Sequence, residues 1–485
     1  MPLSSTTFVA QTMEGLVNVD QLAVEDVNVY HGRRCGGPHL SAVHLRPAAL
    51  RPRLPGRPTP DHALMTSRRI PGLRWYVVTL LCVASGLNYL DRQTLSVLAQ
   101  TIQDELHLST VQYADITSAF LLSYTIMYAV SGVIVDRLGT RKSFLVFVSG
   151  WSVACILHAF ARTAAQFTAF RFLLGATEPA NFPAGVKVVS EWFPMRERTL
   201  AVGIFNGGVA VGAAIAAPLI SWIALTHGWQ SAFVLGGALG FIWVALWAGF
   251  YRLPRAHRWL GAAELKLIEA GDAPTTEQPA PVPLKRLLRL RVVWGCILAR
   301  MLLDPCSYFF TFWIIKFLQQ ERGFDLAAVG KFSGIPFVAL ALGNLAGGAV
   351  PRILIGCGWT QDRARKVTML VTSLVLPACL LLVTRVPSPG VAVALISVAM
   401  FCHGAWGFMA LPAEVLPKRV IGSVTGIAGA IGGVAGILTQ QAIGWTVQTL
   451  SFTPVFIACA AVYLVAFAVV CLLIGQIGRE QVIAA

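Results

Sequence analysis

Two acid–base pairs interrupt stretches that are otherwise apolar enough to lie in a membrane. The first is Asp91-Arg92, within Ser85-Gly-Leu-Asn-Tyr-Leu-Asp-Arg-Gln-Thr-Leu-Ser96. The second is Arg171 with Glu178, within Arg171-Phe-Leu-Leu-Gly-Ala-Thr-Glu-Pro-Ala-Asn-Phe-Pro183. A charge at the centre of a bilayer costs at least about 2.5–3.5 kcal/mol, so it is seldom kept there without a function or a partner. Arg171 and Glu178 are about two helical turns apart, share a face, and lie about 10 Å from each other along the axis. Asp91 falls about six residues before the outer end of its segment, and Arg171 about six after the outer start of its own. At about 1.5 Å per residue both sit about 9 Å below the outer surface. Asp91 and Arg171 are therefore expected to pair, with Glu178 deeper, near the midplane where transporter sites lie. Arg92 and Tyr124 are also at membrane depth. Burial makes a carboxylate easier to protonate and a neighbouring guanidinium makes it harder, so protonation can switch with the arginine's position. Protonation of Asp91 would free Arg171 for an incoming carboxylate, and proton and anion would travel together. The competing reading is of static ion pairs that hold helices together, and it is strongest for Arg171.

The segments that must position these residues are membrane spans. Hydrophobic residues are 56% of the 485-residue chain and charged residues 13%, against about 25% charged in soluble domains. Mean hydropathy is +0.67. Apolar runs of about 20 residues, enough for a hydrocarbon core of about 30 Å, recur near 75–97, 112–134, 143–162, 165–190, 199–224, 229–251, 292–318, 327–350, 367–384, 391–412, 423–446 and 452–475. The expected fold is an all-α membrane protein of twelve transmembrane helices in two six-helix halves, 72–251 and 292–478, joined by a middle loop, 252–291. Loops on one side carry Arg137, Arg141, Lys142, Arg196, Arg198, Arg352, Arg363, Arg365, Lys366, Lys418 and Arg419, and the middle loop adds eight more Lys and Arg; the other side has Arg162, Arg322 and Arg385. Positive loops stay cytoplasmic, so both termini and the middle loop are expected inside. The net charge of +15 is then topology signal and attraction to anionic lipid, with no nucleic acid implied.

Residues 1–64 have no apolar run of signal-peptide length. They are expected to be a disordered tail or a spurious extension of the gene, with Met65 a natural start. In the middle loop, Gly261–Ala270 is expected to form a short interfacial helix, and Ala273–Pro283 a linker. The ten cysteines are scattered and mostly within spans, so they read as small apolar residues. No metal or cofactor pattern is present in the sequence, nor an enzyme signature such as His-Glu-x-x-His or Gly-x-Ser-x-Gly.

The end of the second span and the loop after it read Gly132-Val-Ile-Val-Asp136-Arg137-Leu-Gly139-Thr-Arg141-Lys142. It resembles the loop 2–3 signature of the major facilitator superfamily, G-x-x-x-D-R-x-G-x-R-R/K. Gly132 would allow close helix approach and Gly139 a tight turn. Asp136 would face the positive end of a helix in the other half and lock the inner side shut. The resemblance sharpens to the anion:cation symporters through Asn88-Tyr-Leu-Asp-Arg92, Arg171-Phe-Leu-Leu-Gly-x-x-Glu178, Glu191-Trp-Phe-Pro194 and Gly422-Ser-Val-Thr-Gly426. Within them it is nearest to hexuronate transporters, on Glu178-x-x-Asn-Phe-Pro183, Lys316-Phe-Leu, Arg322-Gly-Phe-Asp325 and His403-Gly-Ala-Trp406. The resemblance spans residues 72–478. It implies that the positions of Asp91 and Glu178 carry protons, and that Arg92, Tyr124 and Arg171 bind the anion or link it to protonation.

Further candidates rest on residue type alone. Asn181 shares a face with Glu178 and could bond the substrate. Ser307-Tyr-Phe-Phe-Thr-Phe-Trp313 could stack on a sugar ring or simply pack. His403 and Trp406 could reach substrate hydroxyls. Lys316 is expected to snorkel at the outer interface, His158 to pack, and Lys187 to pair with Glu191. The function expected is a proton-coupled symporter that imports a monocarboxylate sugar acid, a hexuronate such as glucuronate or galacturonate, across the cell (inner) membrane as a monomer. Another organic anion (an aldonate or an aromatic acid) and, more distantly, a nutrient sensor stay open.

Overall fold

The structure is a computed structural model that describes residues 69–269 and 284–478; residues 1–64 and the linker 273–283 lie outside the described residues. Among those described, every regular element is helical. The spans are α1 (Leu73–Val97), α2 (Thr110–Leu138), α3 (Thr140–His158), α4 (Ala164–Thr177 and Asn181–Trp192), α5 (Met195–His227), α6 (Trp229–Phe250), α7 (Arg291–Phe312), α8 (Gly334–Gly356), α9 (Gln361–Val383), α10 (Pro389–Trp406 and Leu411–Val415), α11 (Lys418–Thr449) and α12 (Thr453–Leu473). Eleven candidate spans are long and apolar enough to cross a membrane as helical stretches; the twelfth, α4, is a broken helix. The short helix expected in the middle loop is present at Ala262–Glu269.

Local chemistry sets where the helices begin and break. Ser109 and Gln112 form a reciprocal capping box that starts α2, satisfying donors the first turn would otherwise leave open. In α4, Pro179 and Pro183 cannot donate to the ladder and crowd the preceding turn. The helix therefore passes through a 3-10 turn at Glu178–Ala180. The corresponding span of the second half repeats the device: Gly407 at φ +69°, a 3-10 turn at Phe408–Ala410, then Pro412. Unwound backbone at membrane depth is tolerated where it is buried in protein or lines a cavity.

The packing has the symmetry of a duplicated six-helix unit. In the first half α1 packs on α5, α2 on α4 and α3 on α6; in the second, α7 packs on α11, α8 on α10 and α9 on α12. The halves meet through α2 with α11 and α5 with α8. Close approach relies on small residues, as expected where lipid supplies no hydrophobic drive between helices. A Cβ on Gly208 or Gly212 of α5 would collide with the backbone carbonyls of Cys82 and Gly86 on α1. Large apolar side chains such as Leu345, Leu438 and Leu472 face outward, exposed to the surroundings.

A cavity of about 950 Å³ lies between the halves, lined by α1, α2, α4, α5, α7, α8 and α11 and by Met409 in the break of α10. It opens toward the end of the bundle that carries the Gly139 turn, where Tyr128 is 37% and Met409 60% exposed. Hydrogen bonds between the halves cluster at the opposite end. There Tyr113 donates to the Phe312 carbonyl at 2.7 Å, Thr117 to Gln440 at 3.2 Å, and Gln441 to Asp115 and Ser118 at 3.0 Å each, while Trp313, in the same half as Gln440, donates to it at 2.6 Å. Lys316 stands over the rings of Tyr113 and Trp313 and donates to Thr110 at 3.3 Å. It is fully buried in this seal and does not snorkel.

Candidate functional site

One buried ion pair forms the wall of the cavity. Arg92 on α1 donates through Nη2 and Nε to Glu178 Oε2, at 2.6 and 3.1 Å. The side chains are 11% and 0% exposed. The guanidinium is framed by aromatic faces, Tyr89 at 4.7 Å, Tyr124 at 4.8 Å and Phe120 at 5.2 Å. Aromatic faces suit a planar guanidinium held largely out of water. The break in α4 delivers Glu178, and three residues later Asn181, to the same wall, where Asn181 donates to Ser85 at 3.1 Å. Glu178 Oε1, Asn88 Nδ2 and Asn181 Oδ1 have no partner within the protein, and all three residues line the cavity. The wall thus offers one guanidinium together with acceptors and donors suited to a small polar anion.

The pairing expected between Asp91 and Arg171 is not what the helices make. Asp91 and Arg92 point in directions about 100° apart on the helix, so only one can face the cavity. Asp91 turns away, toward α3 and α6, where Cys155 Sγ donates to it at 3.4 Å and Gly236 leaves room for it. Arg171 is buried beside the Arg92 backbone, donating to its carbonyl at 3.2 Å. The two charges thus lie behind the cavity wall, and neither lines the cavity.

Other expected site residues also fall elsewhere. Trp313 is fully buried in the seal described above. Trp406 donates to Ser373 at 2.7 Å inside the second half, also fully buried. His403 touches the cavity only through Ser307, 2.9 Å away, and its other ring nitrogen meets the Tyr463 hydroxyl. Ser307, Tyr308, Thr311 and Phe312 of the aromatic stretch do line the cavity, while Phe309 and Phe310 face the core of the second half. His158 is a packing residue, stacked on Phe233 at 5.1 Å.

At the basic end, Asp136 pairs with Lys187 of its own half at 2.7 Å rather than with a helix end in the other half. Lys187 is thereby taken from Glu191, which instead accepts from Thr140 and Tyr251 at 2.8 and 2.9 Å. Gly139 makes the expected tight turn, at φ +76°. Gly132 does not make a close approach, since a Cβ there would have nothing within 4 Å. Arg137 is exposed, and Arg141 ties the start of α3 to the Ala248 carbonyl at 2.8 Å.

The cavity also holds a charged pair that is not among the candidates above. Arg300 and Asp304, one turn apart on α7, bond at 2.8 Å and both line the cavity. The signal was present, because Arg300-Met-Leu-Leu-Asp304 also puts charges inside an apolar span. Asn206 and Asn344 complete the polar lining from α5 and α8.

The fold and a charged cavity between two repeated halves define a membrane transporter, and sequence comparison agrees. The family model described as Major Facilitator Superfamily matches residues 81–440, and the chain belongs to that superfamily. It is similar to a hexuronate transporter of Escherichia coli (strain K12), 35% identical over 75% of this chain and 85% of that one. It is also similar to a galacturonate transporter of Dickeya chrysanthemi, 36% identical over 59% and 83%. A probable galactarate/D-glucarate transporter of Escherichia coli (strain K12) is 30% identical over 73% and 84%. Among solved structures, a bacterial homologue of the human lysosomal transporter Spinster shares the fold, with TM-score 0.65 at 18% identity over 82% of this chain and 96% of that one. The protein is thus a multi-pass membrane transporter.

Proposed function

We propose that the protein is a proton-coupled symporter that imports a monocarboxylate sugar acid, a hexuronate such as galacturonate or glucuronate, into the cell across its inner membrane. The observation that carries this reading is the buried Arg92–Glu178 pair at the cavity wall. An arginine whose counter-charge is a protonatable carboxylate can exchange that partner for a ligand carboxylate. When Glu178 takes a proton, Arg92 loses its anion, and the substrate carboxylate replaces it in a bidentate contact. When the ligand leaves inward, Glu178 releases the proton and recovers Arg92. Each carboxylate thus competes for one guanidinium, so proton and anion move together. The names of the relatives favour a sugar acid, and the tyrosines and asparagines around Arg92 suit its ring and hydroxyls.

Asp91, behind the wall, is assigned the second proton-carrying role, and Arg171 the task of linking it to Arg92 through the Arg92 carbonyl. The basic end is read as cytoplasmic. Residues 72–251 and 292–478 then act as the moving halves of a monomer, with 252–291 as the inner connection. Asp136, Arg137, Gly139 and Arg141 serve as an inner latch. The test is uptake of labelled galacturonate and glucuronate into proteoliposomes with and without an imposed ΔpH. Accumulation should require the proton gradient, and sodium or chloride gradients should not replace it.

A further inference from the structure

The pair Arg300–Asp304 has no part in the coupling scheme above, yet it occupies the opposite wall of the same cavity. Arg300, Asp304, Ser307, Tyr308 and Thr311 form one polar face of α7 along the cavity. Within it, Arg300 Nε and Nη2 both reach Asp304 Oδ2, at 2.9 and 2.8 Å, with side chains 12% and 3% exposed. This face packs on α11 at its glycines. A Cβ on Gly432 would collide with the Asp304 carboxylate, and one on Gly429 would come within 3.5 Å of Arg300 Nη1. The pair is therefore pressed between two helix backbones. Tyr308, one turn further along, lies within electrostatic range of both Asp304 and Arg92, so the two ion pairs share one field.

The charges that line the cavity are Arg92, Glu178, Arg300 and Asp304. They cancel while Glu178 is ionised and leave a single positive charge once it is protonated. We infer that Asp304 is a specificity-determining residue: by neutralising Arg300 it restricts the cavity to sugar acids with one carboxylate, and the pair receives the hydroxyl-bearing end of the ligand. The inference rests on the sugar-acid reading above. A hydroxyl can donate to the free lone pairs of Asp304 and accept from unused N–H groups of Arg300. A second carboxylate arriving there would meet a like charge out of water, with no uncommitted cation to pair with, and would be rejected. The relatives named above include a hexuronate transporter and a probable galactarate/D-glucarate transporter, whose acids carry one and two carboxylates.

The experiment measures uptake of labelled galacturonate by purified, reconstituted protein, with unlabelled galacturonate and the diacid galactarate as competitors. Wild type should discriminate strongly against galactarate. Asp304→Asn exposes Arg300 as an unpaired cation and should shift the ratio of the two inhibition constants toward the diacid by about tenfold or more. The double variant Arg300→Gln with Asp304→Asn restores the neutral count and should recover the preference for the monoacid, with weaker affinity overall. Should Asp304→Asn fail to fold, Arg300→Gln reads the same effect from the other side, since an unpaired Asp304 must sharpen discrimination against galactarate. Wild type that transports no sugar acid overturns both this inference and the function on which it rests. Wild type that transports galacturonate, with an unchanged competitor ratio in the variants, overturns this inference alone.

Discussion

Glu178→Gln separates coupling from binding. The substitution replaces the acceptor of two guanidinium hydrogen bonds, at 2.6 and 3.1 Å, with an amide that keeps the shape and one acceptor oxygen. It can neither bind nor release a proton. Removing one member of a buried ion pair costs about 3–5 kcal/mol. The retained acceptor should hold the loss to about 3 kcal/mol, which lowers the melting temperature of the protein without preventing insertion. The transport consequence is sharper. One proton carried per anion down a gradient of one pH unit supplies about 1.4 kcal/mol, enough for about tenfold accumulation. In Glu178→Gln the accumulation ratio should fall to about one, because Arg92 can be freed for substrate but never reset by deprotonation. Counterflow exchange should survive, since it does not require the proton site to empty in each cycle. Both are read from one reconstituted sample, normalised to protein. Retention of tenfold, ΔpH-driven accumulation by the variant would refute the assignment. Loss of exchange and accumulation together, in folded protein, would argue instead that Glu178 only holds Arg92 in place.

Four other substitutions follow from the geometry. Lys316→Met removes the ammonium held over Tyr113 and Trp313; a desolvated cation–π contact is worth about 2 kcal/mol, so the seal should open about 30-fold more often, read as faster labelling of a cysteine placed at Ser118 by an impermeant thiol reagent added from that side. Gly212→Ala drives a methyl into the Gly86 backbone and should cost about 1–3 kcal/mol with a lower melting temperature. Gly132→Ala, which meets nothing, should leave that temperature unchanged. Asp136→Asn breaks a pair whose carboxylate is 74% exposed, so the stability loss should stay below about 1 kcal/mol, while turnover slows with substrate affinity preserved; a large affinity loss at normal turnover would remove it from the latch.

The class of the protein and the depth of its chemistry are legible in the chain alone. Burying a charge in lipid is so costly that each one found inside an apolar run marks itself, without any knowledge of its neighbours. That single-residue logic reached Arg92, Glu178, Asp91 and Arg171, and it applied equally to Arg300 and Asp304. The prolines at 179 and 183 likewise carry the break in α4 in their own covalent structure. Azimuth is a different matter. Asp91 and Arg92 have the same depth and near-identical sequence surroundings, and only the packing of α3 and α6 on the back of α1 turned the aspartate away and left the arginine facing Glu178. The same holds for Trp313 and Trp406, whose residue type suits a sugar ring and a helix interface equally well. Lys187 had two carboxylates within reach, and the last turn of α2 gave it Asp136. Depth follows from counting along one helix, whereas facing is fixed by which other helices pack beside it.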